Sequence, residues 1–176
     1  MPSRNPPQPL RPQQPSPPST KPNLDLTATH LEHLTLRLAQ AFHANTLPSS
    51  LDLIRSLSAR NIQTHCPDAG ADEFIPNSDA MPIEEYIGYL QAYSLKFPGW
   101  DVVIHPPKAE VEEGCKSAVV WLTLMANSSV VERGGVKTEG VYKMFWRWRK
   151  GRGWEEAEGW EWWRYEHLDG VAGYMF

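Results

Sequence analysis

From Ser117 to Asp169 the chain alternates between two faces over three long runs, and few folds accept a sequence of that kind. The runs are Ser117–Ala126, Val136–Arg149 and Trp160–Asp169. β-Branched and aromatic residues dominate them, and Gly134-Gly135 and Lys150–Gly153 supply the turns between. Consecutive strands joined by short turns form an antiparallel meander, and one face of a meander has to be covered.

The cover lies upstream. Residues 1–23 are a Pro, Gln and Ser tract that buries too little apolar surface to offset its ordering entropy, so a disordered tail is expected there and a single domain over 24–176. A first helix begins near Leu24, with Thr29 and Glu32 at capping-box spacing and Leu31, Leu34, Leu38 and Phe42 on one stripe. Asn45 and Pro48 end it. Ser49 or Ser50 caps a second helix that buries Leu51, Ile54 and Leu57, after which Asn61–Cys66 turns extended and 67–80 reads as a loop. In the third helix Pro82 takes the first position, Glu84 and Glu85 favour the first turn, and Ile83, Tyr86, Ile87, Leu90 and Phe97 share a face. Trp100–His105 is the next strand, stopped by Pro106-Pro107. Helices first and strands afterwards define an α+β layer packing.

Composition excludes several classes. A chain of 176 residues with 41% hydrophobic content can build one core, and a net charge of −4 draws neither nucleic acid nor anionic membrane. Cys66 and Cys115 match no metal or redox spacing. The N-terminal segment lacks the apolar core of a secretory signal and no apolar run is long enough to cross a bilayer, so a cytoplasmic protein with reduced thiols and no membrane partner is expected. His30 and His33 flank Glu32 one helical turn apart but find no third ligand, and no glycine-rich phosphate loop is present. Neither a metal nor a cofactor is expected.

Basic and aromatic residues interleave in Lys143–Arg152, as they do on base-stacking platforms. Glu155, Glu156, Glu158 and Glu161 would return antiparallel to Arg147, Arg149 and Arg152, which makes the segment a charge-matched hairpin with little field left for phosphate. Its tryptophans then either wall a cavity or cover the outer sheet face. A contiguous aromatic patch there would mark a homodimer interface.

Two stretches carry a family resemblance: Ala80-Met-Pro-Ile-Glu-Glu-Tyr-Ile-Gly88, which resembles a helix of scytalone dehydratase, and Tyr165-Glu-His-Leu-Asp-Gly170, which looks like the end of fungal SnoaL-like proteins. With the element order they place the chain near the nuclear transport factor 2-like (NTF2-like) superfamily. The resemblance implies a cone-shaped α+β fold with three helices on a curved, mostly antiparallel sheet. It also implies an apolar pocket for a small apolar or aromatic molecule, used by isomerases, cyclases, dehydratases and plain binders alike. Scytalone dehydratase couples a tyrosine and an aspartate at the end of its first helix with two strand histidines and a second tyrosine. The helix-end pair falls at Phe42 and His43, one histidine matches His105, and the other falls at Ala126 or Asn127, where this chain has no histidine.

The ionisable residues sort by position even without that resemblance. His105 ends a strand of Val102, Val103 and Ile104; it either moves a proton to or from a bound carbon acid or faces water. His43 could complement it from a helix end, and His65 is ambiguous in the same way. By alternation His167 shares a face with Tyr165 and Trp163, and Glu166 and Arg164 take the other face with Trp162. Two functional readings follow. In one, Phe42, Tyr86, Trp121 and Tyr142 shape an apolar cavity in which His105, with His43, performs acid/base catalysis on an aromatic or polyketide-like metabolite. In the other, the domain is a non-catalytic interaction or dimerisation module.

Overall fold

The protein is described by a computed structural model over residues 23–65, 75–96, 100–128, 137–149 and 159–169. Helix α1 (Leu24–His43) buries Leu31, Leu34 and Leu38 at helical spacing together with Thr35, Ala39 and Ala41. Its cap is Asn23, whose Oδ1 accepts from the Asp25 amide at 3.0 Å. The Thr29/Glu32 capping box does not form, because the helix has already begun and the Glu32 carboxylate accepts from the Ala109 amide at 3.1 Å. Helix α2 (Pro48–Leu57) starts at Pro48, where a missing N–H costs nothing, so neither Ser49 nor Ser50 is its cap. Ile54 and Leu57 are its buried residues.

Strand β1 (Ser58–His65) pairs antiparallel with β2 (Ser78–Pro82), a strand inside the stretch that reads as a loop. Pro82 closes β2 opposite Asn61 instead of opening a helix, and the ladder tolerates it because β2 is an edge strand. Helix α3 (Ile83–Lys96) follows at once, burying Tyr86 and Ile87. Phe97 lies outside the described residues. Strands β3 (Trp100–Ile104) and β4 (Lys108–Val111) are split by His105-Pro106-Pro107 and both pair with β5 (Ser117–Ser128). Then β5, β6 (Lys137–Trp148) and β7 (Trp160–Asp169) form the expected meander.

The sheet runs β2-β1-β7-β6-β5-β3, and every pairing is antiparallel except β1 with β7. That parallel pair prevents β7 from being an edge. The three helices cover one face, where Leu31, Leu38, Ile54, Ile62, Val120, Trp146 and Trp162 have 0% exposure. Burying an apolar side chain of this size stabilises the fold by about 1.5–3 kcal/mol, so these aliphatic and indole groups together hold the helices on the sheet. No helix among the described residues is long and apolar enough to cross a membrane.

In β7 the two-residue alternation breaks. Phe145 pairs with Arg164, but the next residue, Trp146, pairs with Trp162, so Trp163 is an extra residue in a bulge. The inward set is therefore Trp160, Trp162, Tyr165 and His167. Trp163 packs on outer-face Phe145 at 6.3 Å. This corrects the grouping by simple alternation: the bulge exchanges Trp162 and Trp163 between the faces.

The expected charge pairing holds where the chain is described. Arg147 stands opposite Glu161, with Nε donating to Oε1 at 2.7 Å. Arg149 donates to the other carboxylate oxygen, and its Nη2 reaches the Ser58 carbonyl at 3.1 Å, tying β6, β7 and β1 together. Glu155, Glu156, Glu158 and Arg152 lie outside the described residues. Burial alone would raise the Glu161 carboxyl, but the hydrogen bonds and charges of Arg149 and Arg147 outweigh it and hold the group below its ordinary value. A carboxyl lowered in the folded state stabilises above its unfolded value, near 4.3, and that stabilisation fades as pH falls through the folded value. Glu161→Ala should lose about 1–2 kcal/mol at pH 7, allowing for the partly exposed arginines, and the deficit should shrink below about pH 4. Urea unfolding at both pH values checks this; an equal deficit at each would assign the effect to packing.

Candidate functional site

The inner face of the sheet is built by three strands in register. Leu122, Tyr142 and His167 form one row, Val120, Met144 and Tyr165 the next, and Ala118, Trp146 and Trp162 the third. These nine residues include no Asp, Glu, Lys or Arg. Lys143, Arg147, Glu161, Arg164 and Glu166 sit on the other side.

The helices close onto this wall at Trp162. Phe42, in the last turn of α1, lies 5.7 Å from the Tyr86 ring of α3 and 5.3 Å from Trp162, and Tyr86 lies 5.4 Å from Trp162 and 6.0 Å from Tyr165. The run continues from Tyr165 to Tyr142 at 6.3 Å and ends where Tyr142 stacks on His167, 4.5 Å apart and 10° from parallel. These are favourable aromatic separations, and the Phe42–Tyr86, Tyr86–Trp162 and Tyr86–Tyr165 pairs are edge-to-face. Phe42 is placed by Asn45, a buried residue whose Nδ2 reaches the Phe42 carbonyl at 2.8 Å, the Leu90 carbonyl at 3.1 Å and Ser94 Oγ at 2.8 Å. One amide thus fixes the end of α1 against α3. Sequence inspection marks Asn45 only as a helix stop.

Of the residues expected at a site, Phe42, Tyr86 and Tyr142 share this inner face. Trp121 does not, because Leu122 pairs with Tyr142 and Trp121 with Lys143, whose Nζ lies 4.5 Å above the indole on the outer face. His105 is also displaced. It follows β3 with its amide bonded to the Thr123 carbonyl, and its exposed imidazole meets Met125 Sδ at 3.1 Å, on the Trp121 side of β5. His43 is the exposed last residue of α1 and His65 is exposed at the end of β1. His105 and His43 therefore do not converge on the aromatic wall. The histidine that does is His167, and with Trp162 and Tyr165 it completes a site that sequence inspection only half identified.

His30 and His33 line an open surface groove with Leu26, Leu36, Ile104 and Pro106, away from the aromatic wall. Glu32, between them, is engaged by Ala109. Among the described residues no three metal-ligating side chains come together.

Gly140 sets the space for the stack. A Cβ there would stand 2.9 Å from His167 Nε2 and 3.0–3.1 Å from the Tyr142 ring and hydroxyl, so both rings close over a residue that must lack a side chain. Gly140→Ala should push the pair apart at about 1–2 kcal/mol of stability. The stacked imidazole lies in the ring current of Tyr142, so its proton resonances should move toward free-histidine positions in that variant. Unchanged resonances would show that the stack accommodates a methyl group.

This arrangement of helices and sheet has close parallels in solved structures. The CaMKII hub of S. rosetta aligns with a TM-score of 0.59 at 13% identity, over 89% of this chain and 100% of that one. The Kfla4162 protein of Kribbella flavida aligns with a TM-score of 0.61 at 15% identity, over 84% of this chain and 93% of that one. An NTF2-like superfamily protein of Salmonella enterica aligns with a TM-score of 0.59 at 12% identity, over 88% of this chain and 100% of that one. No protein-family model and no curated protein matches the sequence. The chain has the NTF2-like fold, α+β, with an open sheet covered by three helices.

Proposed function

We propose that this chain binds a planar, apolar small molecule between α1, α3 and the inner face of β6 and β7. The observation that supports the reading is the unbroken run of ring contacts from Phe42 through Tyr86, Trp162, Tyr165 and Tyr142 to His167. Small-molecule sites are mostly apolar and aromatic with a few convergent polar groups, and here the convergent groups are phenols and one imidazole. Proton transfer of the isomerase, cyclase or dehydratase kind would fall to Tyr142 and His167, the ionisable pair at the end of the wall. His105 and His43 have no part in it.

A second reading concerns the outer face. Trp121, Phe145 and Trp163 are half-buried there, under Lys143 at 4.5 Å, Arg164 at 4.9 Å and Arg147 at 5.4 Å. Glu166 and Glu161 answer those cations. A balanced aromatic patch of both charge signs suits a second copy of the chain better than phosphate, and the hub among the structural matches is in keeping with assembly.

Thermal shift against naphthalene-sized aromatic compounds, with native mass spectrometry, tests both. A ligand at a hundredfold its Kd should raise Tm by roughly 5–10 °C, and Tyr142→Ala should abolish the rise. Trp163→Glu should break a dimer and leave the ligand response intact. A panel that never shifts Tm would end the first reading, and a monomer at all concentrations the second.

A further inference from the structure

Two of the largest buried side chains carry a hydrogen-bond donor that reaches no acceptor. Trp146 and Trp162 both have 0% exposure, stand opposite each other on β6 and β7, and leave their indole Nε1–H groups unpartnered. An indole nitrogen only donates. Buried donors are nearly always satisfied, so two unmet donors in adjacent strands call for a cause. Ser58, the register partner of Trp162 on β1, adds a buried hydroxyl without a partner, and Thr35 on the covering helix adds another. Trp162 is also the ring on which Phe42 and Tyr86 close, at 5.3 and 5.4 Å. Donor and aromatic wall are one side chain.

We infer that the inner site takes a planar ring compound bearing a neutral hydrogen-bond acceptor, a carbonyl or comparable oxygen, that receives the Trp162 indole N–H with Trp146 as the second donor. The inference rests on the ligand-binding role proposed for this face and narrows it. A carboxylate or phosphate would enter a wall that offers no Lys or Arg, and its desolvation would go uncompensated. A neutral oxygen needs only the donors that are present.

The test pairs 1-indanone with indane, bicyclic rings of one shape that differ by the carbonyl. Binding to the full chain is measured by calorimetry, and the indole N–H resonances are followed by nitrogen-15 NMR. The expected result is that 1-indanone binds about tenfold or more tightly than indane and moves the Trp162 indole proton downfield, whereas indane leaves it in place. Trp162→Phe should bring the two affinities together. Should that variant not fold, the wild-type indole shift and Trp146→Phe, which should weaken the preference, carry the comparison. Equal affinities with an unmoved indole proton would overturn the inference and leave the aromatic site standing. Binding of neither compound would sink both.

Discussion

The one extra residue in β7 is the constraint on which the architecture turns. Without it, plain alternation would put Trp160 and Trp162 outside with Arg164 and Glu166 and bring Trp163 and the Glu161 carboxylate inside. With it, Trp162 and Tyr165 both point inward although they are three apart, and the strand fills the core from two consecutive rows. The bulge also moves Trp163 outside, against Phe145 and under Arg147. A single local irregularity therefore builds the inner wall and the outer patch at once.

That division also separates the electrostatics. Lys143, Arg147, Arg149, Arg164, Glu161 and Glu166 occupy one side of β6 and β7 and pair among themselves. The three inner rows carry phenols, indoles and an imidazole and no Lys or Arg. Exposed ion pairs contribute little, and their value here lies in placement: each cation sits over a ring or beside a carboxylate, and none is left to reach inward. The Glu161 cluster does more than this, because Arg149 extends it to the β1 backbone and so supports the parallel pair that keeps β7 off the sheet edge.

Much of the fold was legible in the sequence because its signals are local. Leu31, Leu34 and Leu38 recur at helical spacing, and the long runs alternate, so three helices and a meander could be read directly. What escaped depends on partners far along the chain. Strand β2 is five residues long and ends in a proline, and nothing nearby announces that it pairs with β1. The parallel β1–β7 ladder is likewise a long-range choice. The site was half legible for a related reason: alternation shows which residues of a strand share a face, not which face lies inside. Both sides of β5 are apolar, Val119, Trp121 and Met125 against Ala118, Val120 and Leu122, and only the register with β6 decides that Trp121 is out.

His105 and His167 show why position along a strand is a poor guide to which ionisable side chains a fold holds in a fixed direction. His105 follows the apolar residues Val102, Val103 and Ile104 and His167 alternates with charged ones, and both could be drawn facing a cavity. His105 precedes two prolines after β3, and its exposed imidazole meets Met125 on the outer side of β5. His167 lies within a paired strand, opposite Tyr142, with Gly140 making room for the stack, so ring and phenol are held face to face. An acid or base is useful only where the scaffold fixes its direction. In this fold that direction is supplied at Tyr142 and His167 by strand pairing and a glycine, and by nothing comparable at His105.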